Sequence, residues 1–209
     1  MIISIDGIDG SFKNTNTRRL SNYLQYNKYK VFTISFPNYD SVIGKEIIEY
    51  MKKDQIDKEY LSNLFLSDME YEYKNTIRRY QLNDHITICD RYIYSNYLYQ
   101  YQPDEYQKFI SNIPIIPIPD ISIFMKFTNK STIEKVLSDR RSKEDNPNDA
   151  NEDKLDYLFD INNSIPERLR YINHSILIEL EDQFGLKSEN HIFHEILLGI
   201  RKLGYGYIL

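Results

Sequence analysis

The stretch GIDGSFKNT, residues 7–15, decides the fold class because it follows a short apolar run and precedes a helical pattern. A phosphate-binding loop carries a glycine, four free positions, a second glycine, a lysine, and then serine or threonine. Gly7 and Lys13 are in register with that pattern, but Phe12 replaces the second glycine and Asn14 replaces the hydroxyl residue. The placement between strand and helix favours a phosphate loop over an ordinary strand-to-helix turn.

The loop residues predict contacts to the phosphates of a nucleotide. Successive backbone N–H groups of such a loop point into a nest at the positive end of a helix. Gly7 and Gly10 permit the turn, and Lys13 would reach the β- and γ-phosphates. The amide oxygen of Asn14 would ligate Mg²⁺. Thr15 would contact the α-phosphate, or would bond back within the first helical turn.

The composition predicts one globular domain. A chain of 209 residues suits a single domain with a sizeable core, and its net charge of −5 implies no broad basic surface for nucleic acid. No apolar segment approaches the roughly 18 residues of a membrane span, and the N-terminus has no signal-peptide pattern. We therefore expect a soluble cytoplasmic protein with no membrane contact. Cys89 is expected to be a buried thiol rather than a nucleophile.

Apolar runs and helical periodicities alternate along the chain. Strands are predicted at 2–5, 30–36, 85–89 and 120–127, and helices at 13–26, 43–53, 58–82, 131–141 and 155–180. Pro166 should bend the last of these helices, and residues 142–152 should form a mobile polar loop. A last short strand is expected near Ile192, although a helix fits that segment better. The alternation indicates an α/β fold with a parallel sheet covered by helices.

Three candidate site segments each follow a predicted strand: residues 7–15, 36–37 and 90–91. Ligands of open α/β sheets bind at the carboxyl ends of the strands, so these segments should share one edge. Asp90 would orient Mg²⁺-bound water and Arg91 would hold phosphate, although an ordinary salt bridge at a strand end is equally consistent with the pair.

Two further features allow a functional and a structural interpretation. Phe65 lies on an apolar helix face, where it is either a core residue or a platform on which a base stacks. Arg140 and Arg141 precede the polar loop, where they either face solvent or belong to a lid that brings them onto the transferred phosphate.

Six segments, taken in order, resemble the thymidylate kinase family of the nucleoside-monophosphate kinase group. GIDGSFKNT is similar to its G-x-D-G-x-G-K-[ST]-T loop, FPNYDSVIGKEI to its eukaryotic and viral F-P segment, and LFLSDMEYE to its L-F-S-A-[ND]-R-x-E helix. DRYIYSNYLYQ resembles D-R-Y-x-x-S-x-x-A-[FY], IPIPDISIFM resembles the strand that begins L-P-x-P-D-L, and GLKSENHIFHEI resembles the loop near the ATP adenine with its following helix.

The resemblance covers nearly the whole chain and implies a P-loop NTPase fold with a five-stranded parallel sheet. It implies one kinase-like domain over residues 1–209, with a lid at 140–153. The implied reaction transfers a phosphoryl group from ATP to dTMP, giving dTDP, with Mg²⁺ as cofactor. Kinases of this family are commonly homodimers, and either a homodimer or another protein partner is open for this chain.

The resemblance also implies roles for individual residues. Asp9 would contact the sugar hydroxyl of dTMP or organise the loop, and Arg91 would hold phosphate. Phe65 would stack on thymine, with Phe36 beside it, and Tyr99 would favour deoxyribose.

Gly10 stands where one subgroup of the family has arginine, a pattern similar to the subgroup that supplies catalytic arginines from the lid. The implied catalytic residues are Lys13, Arg91, Arg140 and Arg141, and the implied metal ligands are Asn14 and Asp90. The implied ATP- and phosphate-binding residues are Gly7, Gly10, Ser11, Lys13, Asn14, Thr15 and Lys187.

Departures from the family pattern cluster at the phosphate sites. Besides Phe12 and Asn14, Tyr39 and Met69 occupy two positions where the family has arginines that would bind the monophosphate. A hydrogen bond to a charged group is worth roughly 1.5–3 kcal/mol, so losing two would weaken dTMP binding by orders of magnitude. Two alternatives follow: a catalytically impaired pseudo-kinase that keeps the fold as a nucleotide-binding or protein-interaction module, or a kinase for a different nucleotide.

Overall fold

A five-stranded sheet forms the centre of the computed structural model, which describes residues 1–53, 55–141 and 155–209 and only the backbone of Arg140 and Arg141. The strand order is β2-β3-β1-β4-β5, and every neighbouring pair is parallel. The strands are β1 (Ile2–Gly7), β2 (Val31–Ser35), β3 (Ile86–Asp90), β4 (Ile121–Lys126) and β5 (Ser175–Glu179). A short antiparallel hairpin follows, made of β6 (Glu181–Asp182) and β7 (Gly185–Leu186).

Helices surround this sheet in the described part of the chain. They are α1 (Lys13–Tyr26), α2 (Val42–Met51), α3 (Lys58–Glu72), α4 (Arg78–Gln81), α5 (Ile93–Gln100), α6 (Tyr106–Asn112), α7 (Lys130–Arg141), α8 (Leu155–Arg168) and α9 (Glu189–Ile200). A π-helical turn, Tyr73–Ile77, joins α3 to α4, so the predicted helix over 58–82 is a continuous helical segment.

Burial explains why the central strands are mostly apolar. Every residue of β1, β3 and β4 is buried, as expected when helices cover both faces of a parallel sheet. Ile3 of β1 pairs with Ile88 on one side and Ile121 on the other. Leu20 and Leu24 of α1 are fully buried at helical spacing. The predicted α/β fold with a five-stranded parallel sheet is confirmed.

The predicted position of the last strand is wrong. Helix α8 ends at Arg168 instead of continuing to residue 180, and the fifth strand is Ser175–Glu179. The segment near Ile192 lies in α9. Ile172, Ile176 and Leu180 recur every four residues and imitate a helix, whereas pairing with β4 selects the strand conformation. Local periodicity does not contain that long-range pairing.

A buried arginine connects α8 to α5. Arg168 donates hydrogen bonds to the backbone oxygens of Tyr97 and Tyr101, both at 2.8 Å, and from Nε to Ser164 Oγ at 2.9 Å. Its guanidinium carbon lies 4.7 Å from the ring centroid of Tyr97. The side chain therefore satisfies two backbone acceptors at the end of α5, the helix that forms one wall of the site described below.

An Arg168→Met variant is expected to lose about 2–3 kcal/mol of unfolding free energy, because two buried carbonyls lose their donors. For a chain of this size, the melting temperature should fall by roughly 5–10 °C. Urea and thermal denaturation measure both quantities. Arg170→Met removes the same charge from an exposed position and is the matched control. Equal losses in the two variants would contradict the assigned role.

Glu181 fixes the start of α7. Its carboxylate accepts hydrogen bonds from the backbone N–H groups of Thr128 at 2.5 Å and Asn129 at 2.9 Å, and from the side chains of Thr128, Asn129 and Thr132. Burial alone would raise the pKa of this carboxyl, but the hydrogen bonds outweigh it and lower the pKa to about 2. A carboxylate at a helix N-terminus also complements the helix dipole.

A Glu181→Gln variant is expected to lose about 2 kcal/mol of stability at pH 7, because a neutral amide accepts fewer of these bonds. The stabilisation is fully present above the ordinary pKa of 4.5 and disappears as pH falls towards 2. The difference in unfolding free energy between the two proteins should therefore shrink across that acidic range. Denaturation at several pH values measures it, and a difference that does not vary with pH would contradict the assignment.

Candidate functional site

The carboxyl ends of β2, β3 and β1 lie side by side, so the three predicted site segments meet at one edge of the sheet. Asp90 at the end of β3 is in register with Ile5 of β1 and with Ser35 of β2. The next backbone groups extend this contact: Arg91 N–H donates to the Ile5 oxygen and Phe36 N–H to the Asp90 oxygen, both at 2.9 Å.

The loop after β1 is tightly packed around its first glycine. Gly7 has φ +147°, and a Cβ there would lie 2.6 Å from the Met125 oxygen and 2.8 Å from Ser11 Oγ. Ser11 bonds back to the Ile8 oxygen through its backbone N–H at 3.3 Å and its hydroxyl at 2.7 Å. Lys13 Nζ also donates to the Ile8 oxygen, at 2.6 Å. The lysine is thus buried and folded over the loop.

Phe12 takes the left-handed conformation that the second glycine of the pattern would supply. Its φ and ψ are 61° and 22°, which costs a non-glycine residue roughly 1–2 kcal/mol. The ring packs against Phe127, with centroids 6.3 Å apart and planes at 53°. Such a pair gains about 0.5–1.5 kcal/mol beyond burial, enough to offset most of the strain. The ring therefore packs next to the end of β4.

The first turn of α1 presents oxygen donors near the loop. Asn14 is exposed and Thr15 is half-buried, whereas Asp90 at the end of β3 is 8% exposed. Among the described residues, no group of three His, Cys, Asp or Glu side chains forms a metal site of its own. Carboxylate and amide oxygens are ligand types that Mg²⁺ accepts together with water and phosphate oxygens.

Arg91 connects the phosphate loop to the adjoining cavity. It has φ +66° at the turn after β3. Its Nη1 donates to the Gly7 oxygen at 3.3 Å, and its Nη2 forms an ion pair with Asp9. The guanidinium carbon lies 5.7 Å from the ring centroid of Tyr99. Because Lys13 and Arg91 bond to consecutive carbonyls, those of Ile8 and Gly7, the two cations lie on the same loop.

Asp6 orients the helix that carries part of the cavity wall. It is fully buried and accepts hydrogen bonds from Tyr92 N–H at 3.1 Å and Ser95 Oγ at 2.6 Å. Burial raises the pKa of this carboxyl, while the bonds from Ser95 and Tyr92 oppose the rise. Asp6 was not predicted as a site residue, because it lies between the apolar run of residues 2–5 and the glycine turn and matches no motif.

A cavity of about 460 Å³ opens between α3, α5 and the segment after β2. All five predicted substrate residues line it, namely Asp9, Phe36, Phe65, Arg91 and Tyr99. Tyr39 and Met69, at the expected arginine positions, line it as well. The volume is that of a small-molecule site, and the lining combines apolar rings with a few polar groups, as such sites do.

Eight further described residues line the cavity without having been predicted, among them Lys58, Asn96 and Tyr157, whose polar groups have described contacts. Lys58 lies on the face of α3 that carries Phe65, and Asn96 precedes Tyr99 by three residues on α5, so helical spacing was a usable signal for both. Tyr157 comes from α8, far along the chain, and no local pattern indicates it.

Asn96, Tyr157 and Lys58 each contact a neighbouring residue. Asn96 donates from Nδ2 to Ser62 Oγ at 2.9 Å, and its buried Oδ1 has no hydrogen-bond partner among the described residues. The Tyr157 hydroxyl donates to the Tyr99 oxygen at 2.9 Å, and Lys58 Nζ lies 5.7 Å from the Tyr157 ring centroid.

Among the described residues, none of the remaining predicted site residues lines this cavity. Lys187 bonds to both Glu195 carboxylate oxygens at 2.9 and 3.0 Å and to the Glu179 oxygen at 2.7 Å. The backbones of Arg140 and Arg141 end α7, and their side chains lie outside the described residues. Most of the predicted lid also falls outside the described residues.

Cys89 is buried as predicted, and burial together with Asp6 and Asp90 raises its pKa well above the ordinary value.

The order of the parallel strands and the loop that follows β1 define the class of P-loop NTPase folds. The family model described as thymidylate kinase matches residues 5–181. The chain belongs to the thymidylate kinase family.

Several thymidylate kinases are similar to this chain in sequence or in fold. The chain is 31% identical over 172 residues to a thymidylate kinase of African swine fever virus, a match covering 80% of this chain and 68% of the viral one. It is 33% identical over 97 residues to a Plasmodium falciparum thymidylate kinase, a match that spans 46% of each protein. The Candida albicans enzyme superposes with a TM-score of 0.71 at 20% identity, over 98% of this chain and 92% of that one.

No helix within the described ranges has the length and apolarity required to cross a bilayer.

Proposed function

We propose that this protein is a thymidylate kinase that transfers the γ-phosphoryl group of ATP to dTMP. An oxygen of the dTMP phosphate forms the new bond to the γ-phosphorus, the bond from that phosphorus to the β,γ-bridging oxygen breaks, and ADP leaves with dTDP as product. One observation carries the proposal: the cavity that holds all the predicted acceptor residues is joined to the phosphate loop by the Arg91–Asp9 ion pair.

The cavity residues supply binding and orientation, which dominate catalysis of phosphoryl transfer. Phe65 would stack on the base, with Phe36 beside it, and Tyr99 would pack on the deoxyribose. Arg91 would hold the acceptor phosphate near Lys13. Arg140 and Arg141 remain the proposed lid arginines.

Asp90 and Asn14 would hold Mg²⁺ together with water and phosphate oxygens, and the ion would neutralise charge on the β- and γ-phosphates. Lys13 would add its positive charge from the loop. Lys187 is a weaker candidate for ATP contact, because its ammonium is already paired with Glu195.

Tyr39 and Met69 bear on the choice of acceptor. Neither carries the positive charge of an arginine, so among the described lining residues the cations are Lys58 and Arg91, and Arg91 is paired with Asp9. We therefore expect weaker binding of the monophosphate than two further arginines would give, rather than loss of the reaction. Broad substrate specificity is described for the Candida albicans relative, which makes other acceptors worth measuring here.

A coupled assay of ADP release tests the proposed reaction, with ATP, Mg²⁺ and one acceptor at a time: dTMP, dUMP, dCMP, dGMP or dAMP. We expect turnover with dTMP that requires Mg²⁺. Turnover with another acceptor alone would establish a different kinase. No turnover with any acceptor above the level of a Lys13→Met variant would favour the impaired pseudo-kinase. The proposal also includes a cytoplasmic location and either a homodimer or another protein partner, and light scattering after size-exclusion chromatography tests for the homodimer.

A further inference from the structure

The side chain at position 12 bridges the phosphate loop and the base of α7, an element from another part of the chain. The phosphate-loop pattern has glycine at this position, and a glycine has no side chain with which to make this contact. Phe12 is half-buried, and its ring meets Phe127 at a centroid distance inside the range of favourable aromatic pairs. Phe127 is fully buried directly after β4 and three residues before α7 begins.

The backbone of Phe127 is held by hydrogen bonds to another helix. Its backbone N–H donates to Asn162 Oδ1 and its oxygen accepts from Asn162 Nδ2, both at 2.8 Å. Asn162 lies on α8 and is itself fully buried. The next two residues, Thr128 and Asn129, donate to Glu181. The point that Phe12 touches is therefore bonded to α8 and to the hairpin that fixes the start of α7.

The loop lies close to α7 at a second point. At Gly10, which has φ +79°, a Cβ would lie 3.2 Å from the side chains of Val136 and Leu137 in the middle of that helix. The loop therefore lies against both the segment that leads into α7 and the middle of that helix. Packed contacts of this kind transmit small displacements because interiors are dense and barely compressible.

We propose that Phe12 is a positioning residue that couples nucleotide binding at the phosphate loop to the position of α7, the helix that ends in Arg140 and Arg141. The inference rests on the proposed function, since it takes ATP as the ligand of the loop. Phosphates bind to the backbone N–H groups of such a loop. A shift of the backbone at residue 12 would also move its ring. Because that ring packs against Phe127, the movement would be passed to the segment that leads into α7.

Hydrogen exchange read by mass spectrometry tests the coupling on the full-length protein, with and without saturating ATP and Mg²⁺. In the unaltered chain, ATP should slow exchange of the α7 amides, residues 130–141, by about fivefold, the lower end of typical coupling between sites. Phe12→Leu and Phe127→Leu should each abolish most of that protection while ATP still binds, as measured by calorimetry. The double variant should lose no more than either single one.

Phe193→Leu is the matched control. Phe193 is a half-buried ring that packs on Tyr23 of α1, away from the loop, so its loss should change stability but not the ATP-induced protection of α7. Undiminished protection in Phe12→Leu, or none in the unaltered chain with ATP bound, overturns the coupling. If the protein phosphorylates dTMP but ATP does not slow exchange of the α7 amides, this inference is wrong and the proposed reaction stands. If ATP slows that exchange but no dTMP is phosphorylated, the proposed reaction is wrong and the inference stands.

Discussion

A Lys13→Met variant is expected to phosphorylate dTMP about 10³-fold more slowly than the unaltered protein. In other P-loop enzymes, an arginine placed on the transferred phosphoryl group is worth about 10³–10⁵ in rate, and Lys13 would place a comparable charge there from the loop itself. The loss should appear mainly in kcat, because negative charge shifts among the phosphoryl oxygens and the bridging oxygen in the transition state, where Lys13 would stabilise it. The coupled assay at saturating ATP and dTMP measures it.

The loop should keep its conformation in this variant. The Ile8 oxygen that Lys13 contacts still accepts two hydrogen bonds from Ser11, and methionine fills much of the volume of the lysine stem. Arg18→Met is the matched control, because it removes one positive charge from an exposed position on the same helix. Comparable rates in the two variants would remove Lys13 from the reaction.

An Arg91→Met variant should lose about 10²–10³ in kcat/KM for dTMP, the usual effect of removing one preorganised group that stabilises developing charge. The bonds of Arg91 to Gly7 and Asp9, and its contact with the ring of Tyr99, hold its guanidinium between the loop and the cavity. Arg91→Lys should recover only part of the activity, because an ammonium cannot reproduce the planar, forked geometry of the guanidinium. Steady-state kinetics with varied dTMP measure both variants.

A loss of activity caused by unfolding has to be distinguished from a loss caused by removing the guanidinium from the site. Removing Arg91 leaves the buried carboxylate of Asp9 without its cation, which destabilises the folded state. The double variant Asp9→Asn with Arg91→Met should regain stability in urea denaturation but not activity. Recovery of turnover in the double variant would mean that Arg91 acts only by neutralising Asp9.

Much of the fold could be predicted because its signals are local. Apolar runs that end in glycine, proline or charged residues located β1 to β4, and helical spacing located α1 to α3 and α7. The same signals placed the loop after β1 and the pair Asp90 and Arg91 at strand ends. Parallel strands then bring those ends to one edge by geometry alone.

The site was predicted in part for the same reason. Phe36, Phe65 and Tyr99 belong to motifs whose order along the chain resembles that of the family, and they line one cavity. Tyr157 could not be found, because it reaches the cavity from α8 and its neighbours in sequence do not. Lys187 fitted the family pattern, yet its charge is neutralised by Glu195, a partner that spacing alone did not identify.

By itself, the sequence determined the alternation of strands and helices, the phosphate loop, and the two cations beside it, because each depends on residues close together in the chain. Only the tertiary structure decided which segment becomes the fifth strand, which way the ring of Phe12 turns, and how Glu181 holds the start of α7. Each of these depends on packing or hydrogen bonding between distant segments, and the free energy of such contacts is absent from any local pattern.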